Sequence, residues 1–201
     1  MFITFEGIDF CGKSTQVELL KKYLLQRNFS VEVIREPGGT EISEKIREIL
    51  LDKKNSRMFS ETELLLFSSA RAQLVREKII PLLQKNFVVI SDRFHDSSIA
   101  YQSYGRGIDI EVVKKVQQLA IGNTIPDLTF LIDISVELSH QSKKLSGRVE
   151  LDRIENSETS FFQKVRQGYL LLAAEEKRFR VLDGSKSVAE IHEKIIKEIK
   201  A

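Results

Sequence analysis

The chain has a single cysteine, Cys11, among 201 residues, so no disulfide can form within it and a reducing compartment is expected. No apolar run approaches the length of a bilayer span. The net charge is only +2, with 31 Lys and Arg against 29 Asp and Glu spread along the chain. That balance lacks the basic footprint of an ordinary nucleic-acid binder. His95, His140 and His192 share no metal-ligand spacing, so none is expected to hold a transition metal. No N-K-x-D guanine motif, repeat, low-complexity tract or interdomain linker occurs. The first residues carry no charged-then-apolar leader pattern, and a cytoplasmic protein is the expectation. What is left is 42 % hydrophobic and 30 % charged, the composition of one globular domain over 1–201 with a sizeable core.

Against those absences stands one strong motif. Gly7-Ile-Asp-Phe-Cys-Gly-Lys-Ser14 reads G-x-x-x-x-G-K-S, a phosphate-binding loop. It follows the apolar run Phe2–Phe5 and opens a helical pattern with Val17, Leu20 and Leu24 on one face. In such a loop, backbone N–H groups and a helix N-terminus converge on phosphate oxygens. Gly7, Ile8, Asp9, Phe10, Cys11, Gly12, Lys13, Ser14 and Thr15 are therefore the expected nucleoside-triphosphate-binding segment. Lys13 would reach the terminal phosphates and Ser14 would hold Mg²⁺. Asp9 would face phosphate or a sugar hydroxyl, which suggests a Mg²⁺ or hydroxyl partner.

Apolar runs alternate with helical patterns along the rest of the chain. Strands are expected at 2–5, 31–35, 87–91, 128–133 and 179–182, with helices near 13–28, 41–52, 61–85, 109–122, 135–143, 158–177 and 187–200. The alternation predicts an α/β fold whose parallel sheet is covered by helices on both faces. Ligands in such folds bind beyond the carboxyl ends of the strands. The second strand ends in Arg35-Glu-Pro-Gly-Gly-Thr40, a tight turn. The third ends in Ser91-Asp92-Arg93, where Asp92 is placed for Mg²⁺ and Arg93 for phosphate. Phe67 and Arg71 share a helix face; they form either core and helix surface or an aromatic wall with a hydrogen-bonding fork. Asp96–Gln102 is either a polar surface helix or a set of groups that read a base or sugar edge. The polar stretch 142–160, with Arg148 and Arg153, is the one candidate mobile insertion.

These segments together resemble the thymidylate kinase family. The resemblance is carried by Phe5-Glu-Gly-Ile-Asp9, Gly12-Lys-Ser14, Arg35-Glu-Pro-Gly-Gly39, Leu66-Phe-Ser-Ser-Ala-Arg71, Asp92-Arg93, Asp96-Ser-Ser-Ile-Ala-Tyr-Gln102, Pro126-Asp127 and Leu151-Asp-Arg-Ile-Glu155. It implies a three-layer P-loop NTPase fold with a five-stranded parallel sheet and a short lid near 142–160. It further implies transfer of the γ-phosphoryl of ATP to dTMP, with Mg²⁺, by a homodimer. The carried-over substrate residues are Glu36, Pro37, Arg47, Phe67, Arg71, Arg93, Ser98, Tyr101 and Gln102. In that pattern Phe67 stacks on thymine and Arg71 donates to its carbonyl. Ser98 and Gln102 lie near the base, and Tyr101 excludes a ribose 2′-hydroxyl. Arg47 and Arg93 meet the acceptor phosphate, and Asp9 lies near the sugar 3′-hydroxyl. Lys13, Arg93, Asp9 and a lid arginine form the catalytic set, with Ser14 and Asp92 on the metal.

No arginine stands between Gly7 and Gly12, so the lid is expected to supply one, Arg148 first and Arg153 as the alternative. Two positions depart from the usual pattern: Phe10 stands where the family commonly has Gly, and Phe94 where many members have Tyr or His. A bulky Phe10 must point away from the phosphates. The competing readings are a kinase for UMP, CMP or AMP, and a nucleotide-binding regulator without turnover.

Overall fold

Each apolar run becomes a strand in the computed structural model, which describes residues 1–145, 147 and 152–200. The strands are β1 (Phe2–Glu6), β2 (Val31–Arg35), β3 (Val88–Asp92), β4 (Leu128–Asp133) and β5 (Phe179–Asp183). They form one parallel sheet in the order β2-β3-β1-β4-β5. β1 is buried along its whole length, because helices cover both faces of the sheet's centre. Alternate side chains feed opposite cores: Ile3, Phe5 and Ile90 join one cluster, Phe2 and Val89 the other. The chain leaves β1 for one edge, returns through β3, and crosses to β4 on the far side of β1. A crevice therefore opens at the carboxyl ends of these three strands.

The helices are α1 (Lys13–Leu25), α2 (Glu41–Leu51), α3 (Ser60–Leu74), α4 (Ile80–Gln84), α5 (His95–Ser98), α6 (Ile110–Ile121), α7 (Val136–Leu145), α8 (Thr159–Glu175) and α9 (Val188–Lys200). The single helix expected over 61–85 is instead α3, a wider π-helical stretch at Val75–Ile79, and α4. Pro81 lies in the first turn of α4; without an N–H it cannot continue the regular ladder, and the wider turn absorbs the break.

Two further expectations change. Asp96–Gln102 is not a polar surface helix: α5 and a second π-helical stretch, Ile99–Gly105, bury Asp96, Ser98 and Gln102 almost completely. Arg178 holds Asp96 with two 2.7 Å bonds, tying α5 to the residue just before β5. The stretch 142–160 is only partly an insertion. α7 runs on to Leu145, and Ile154 and Glu155 are buried.

Candidate active site

The loop between β1 and α1 needs glycine for a steric reason. Gly7 has φ +138°, and a Cβ there would meet the Ile132 carbonyl oxygen at 2.6 Å. Gly12, at φ +95°, turns the chain into α1. Lys13 arches back over the loop, its Nζ donating to the carbonyls of Gly7 (3.1 Å) and Ile8 (2.9 Å). Phe10 adopts φ +60°, in the left-handed region that normally favours glycine. It is half-buried and lines the cavities on both sides of the loop. Ser14 Oγ donates to Asp92 Oδ2 at 2.8 Å, so the hydroxyl and carboxylate expected to share a metal are already neighbours.

Arg93, just past β3, is the hub of a polar network. Its Nη2 donates to Asp9 Oδ1 (2.6 Å) and the Tyr101 hydroxyl (3.1 Å). Its Nη1 donates to the Gly7 carbonyl (2.9 Å), the Tyr169 hydroxyl (3.2 Å) and Ser97 Oγ (3.3 Å). Burial works against the charge on Asp9, but Arg93 and Lys13 outweigh it and hold the carboxyl below its usual range. Behind Arg93, Ser97 Oγ and the Tyr169 hydroxyl both donate to Glu6 Oε2, at 2.6 and 2.8 Å. Burial, then the neighbouring Asp96, pushes the Glu6 carboxyl up to about 7. Burial lowers His95 to about 4, so its imidazole is neutral at physiological pH.

The main cavity, about 560 Å³, joins the P-loop to a wall made by Glu36, Pro37, Phe67, Arg71, Ser98 and Gln102. Phe67 packs against the core with one part and lines the cavity with another. Arg71 is 1 % exposed and heavily engaged. Its Nε donates to Glu36 Oε2 (2.6 Å), its Nη1 to Ser98 Oγ (2.8 Å) and Gln117 Oε1 (2.5 Å), and its Nη2 to the Phe94 carbonyl (3.0 Å). Its guanidinium is thus a rigid positive plate in the cavity wall. Burial raises the Glu36 carboxyl despite the opposing pull of Arg71, and Glu36 Oε1 is buried without a partner among the described residues. Arg47 reaches the same wall and donates to the Pro37 carbonyl at 2.8 Å.

Thus Asp9, Lys13, Ser14, Glu36, Arg47, Phe67, Arg71, Asp92, Arg93, Ser98, Tyr101 and Gln102 all line one cavity. Arg153 is not among them. Its Nε donates to the Leu50 carbonyl at 2.9 Å, and its Nη2 lies 2.7 Å from Glu63 Oε2. Arg148 lies outside the described residues. Glu6, Glu63, Gln117 and Tyr169 escaped the sequence reading as supporting residues. Glu6 alone left a signal, a carboxylate closing an otherwise apolar strand.

A second cavity, about 330 Å³, opens on the other side of the P-loop. Its walls include Ile134, Leu138, Val188 and Ile191, with Gln16 and the 184–186 turn between them. A phosphate-binding loop between two cavities can hold a chain of phosphates with one group in each. Among the described residues no helix is long and apolar enough to cross a membrane, and no cluster of three metal-ligating side chains forms.

Comparison with known proteins agrees with this geometry. A family model described as thymidylate kinase matches residues 5–195. A thymidylate kinase of Kosmotoga olearia is 50 % identical over 199 residues, covering 98 % of this chain and 94 % of its own length. One from Thermoanaerobacter sp. is 47 % identical over 200 residues, covering 99 % and 97 %. The crystal structure of thymidylate kinase from Ehrlichia chaffeensis superposes with a TM-score of 0.80 at 35 % identity, covering 100 % of this chain and 98 % of that one.

Proposed function

The chain belongs to the thymidylate kinase family of ATP-dependent phosphotransferases, and from that premise we propose how its cavities pass the γ-phosphoryl of ATP to dTMP, giving dTDP and ADP. The observation that carries the proposal is the convergence of Lys13, Arg93, Arg47 and a buried base wall on one cavity beside the P-loop. The adenosine of ATP occupies the second, partly apolar cavity, and its phosphates run along the P-loop to Lys13. The monophosphate enters the main cavity with its base stacked on Phe67 and a base carbonyl turned toward Arg71.

The acceptor is itself a phosphate anion, so the reaction needs no general base. The protein's task is to hold two polyanions in line and to neutralise the charge on the transferring group. Arg93 is suited to this, since Asp9, Tyr101, Tyr169 and Ser97 fix its guanidinium before any substrate arrives. Tyr101 and Asp9, whose side chains meet at 3.2 Å, bound the sugar: the ring leaves no room for a 2′-hydroxyl and the carboxylate accepts from the 3′-hydroxyl. Ser14 and Asp92 offer the hard oxygen donors that suit Mg²⁺, which takes few protein ligands and completes its shell with water and substrate phosphates. Held by Ser14 and Asp92, the ion would supply Lewis-acid neutralisation of phosphate charge.

Arg148 supplies the remaining positive charge from the lid. Arg153 is held by Glu63 and Leu50, which supports a tether role for it rather than a catalytic one. The protein works in the cytoplasm as a homodimer. Ile42 and Ile49 on α2, Leu65 on α3, and Val112 and Leu119 on α6 are exposed apolar side chains on packed neighbouring helices, which supports that face as the contact.

A coupled assay of ADP release with dTMP, dUMP, UMP, CMP and AMP tests the substrate assignment. dTMP should give the highest kcat/KM, and equal rates with a ribonucleotide would overturn the Tyr101 reading. Arg148→Ala should lower kcat with ATP and dTMP dissociation constants little changed. If Arg153→Ala alone loses kcat, the two roles are exchanged.

A further inference from the structure

Glu63, in the first turn of α3, is 1 % exposed and lies behind the base wall rather than in it. Its carboxylate receives three side chains. Oε1 accepts from Gln102 Nε2 at 2.9 Å and from Arg106 Nε at 3.1 Å. Oε2 accepts from Arg106 Nη2 at 3.1 Å and faces Arg153 Nη2 at 2.7 Å. Burial opposes its charge, but Arg106, Gln102 and Arg153 overcome that and keep the carboxyl below its usual range. Glu63 is therefore an anion, and a carboxylate without a proton can only accept.

That restriction propagates to the cavity. A glutamine amide has a donating end and an accepting end, and a neutral neighbour can pair with either. Glu63 can pair only with the NH₂ end of Gln102. The carbonyl oxygen of Gln102 then points away from Glu63 and takes no hydrogen bond among the described residues, while Gln102 itself lines the cavity. Thymine and uracil carry an N–H at position 3, which that oxygen accepts. Cytosine carries a lone pair there, and two acceptors would meet.

On the base-site reading above, we infer that Glu63 is a positioning residue for specificity: it locks the Gln102 amide oxygen-first toward the base, so the site admits an N3–H pyrimidine and rejects cytosine. Arg106 and Arg153 act one step further out by keeping Glu63 charged.

The test compares kcat/KM for dTMP, dUMP and dCMP in wild type, Glu63→Gln, Gln102→Leu and the double variant. Glutamine at 63 can donate as well as accept, so the lock is released. The dTMP-to-dCMP ratio should fall by about tenfold or more in Glu63→Gln, the scale set by one buried polar group losing its partner. The dTMP-to-dUMP ratio should stay unchanged, since both bases present N3–H. In the Gln102→Leu background, Glu63→Gln should have no further effect on the dCMP ratio. A parallel loss with all three substrates would mean a packing role and would overturn the inference. A wild type that fails to prefer dTMP over dCMP would overturn the base-site reading instead.

A second measurement needs no change at Glu63. In isotope-labelled wild type, the Gln102 side-chain amide signals, assigned by their loss in Gln102→Leu, should be protected from solvent exchange both without and with dTMP. Protection that appears only when dTMP is added would place the NH₂ on the base and refute the lock.

Discussion

Removing Arg93 should separate what it does for stability from what it does for the reaction. Arg93→Ala takes away the partner that lies 2.6 Å from Asp9, together with donors to Gly7, Tyr101, Tyr169 and Ser97. Breaking a fully buried ion pair by deleting one member costs about 3–5 kcal/mol. A fully exposed pair is worth less than about 1 kcal/mol. The two side chains here are 16 % and 24 % exposed, so solvent screens part of the loss. About 2 kcal/mol of destabilisation at neutral pH is the expected figure between those limits. Asp9 is held low in the folded state, so its contribution is present above the ordinary carboxylate pKa and is lost as pH falls through the folded value. The Arg93→Ala deficit should therefore shrink in acid.

Urea unfolding at neutral and acidic pH, run on Arg93→Ala, Asp9→Asn and the pair, measures this coupling. The double variant should recover most of the lost stability, because no uncompensated carboxylate remains. Its kcat should not recover: loss of one preorganised charge-stabilising group lowers kcat by about 10²–10³ whether or not Asp9 is neutral. Equal destabilisation with and without Asp9→Asn would refute the ion-pair argument. A folded Arg93→Ala enzyme with near-normal kcat would refute the catalytic one.

Lys13→Ala should lower kcat by about 10²–10³ while thermal unfolding shows an intact fold, since among the described residues its Nζ hydrogen-bonds to loop atoms of Gly7, Ile8 and Cys11. Phe67→Ala should raise the dTMP KM by about 10- to 100-fold, the scale of a lost base–aromatic stack, with a smaller change for ATP; steady-state kinetics in each substrate separates the two. Glu6→Gln tests the buried carboxyl behind Arg93. A carboxyl whose folded value, about 7, lies above its unfolded one loses folding stability as pH rises between them, and glutamine does not. The variant should gain on wild type by about 3 kcal/mol between roughly pH 4.5 and 8 in urea titrations, and a pH-independent difference would contradict the shift.

The strands and the P-loop were legible because each rests on local pattern, whereas Arg47, Ser98, Tyr101 and Gln102 of the main cavity came through the family resemblance. Apolar runs mark β1 to β5, glycine spacing marks the loop, and charged residues at strand ends mark Asp92 and Arg93. The supporting groups follow a different logic. Glu63 reads as an ordinary acidic residue in the first turn of a helix, and Gln117 as one polar position of α6. Tyr169 falls on the apolar stripe of α8 beside Phe162, Val165 and Leu172. Their roles come from contacts made across the chain: Gln117 with Arg71, 46 residues apart, and Tyr169 with Glu6, 163 apart. Asp96–Gln102, being polar, reads either as a surface helix or as groups facing a ligand. Its burial is possible only because Arg178, Arg71 and Glu63 satisfy those groups from distant elements.

Transfer of the γ-phosphoryl of ATP to dTMP in the cavity beside the P-loop can be followed directly. Phosphorus NMR of the enzyme with Mg²⁺, ATP and dTMP in equal amounts follows both nucleotides at once. The ATP γ signal and the dTMP signal should fall together while the β signals of ADP and dTDP rise in equal amounts. Inorganic phosphate appearing in place of dTDP, or an unchanged dTMP signal, would contradict it.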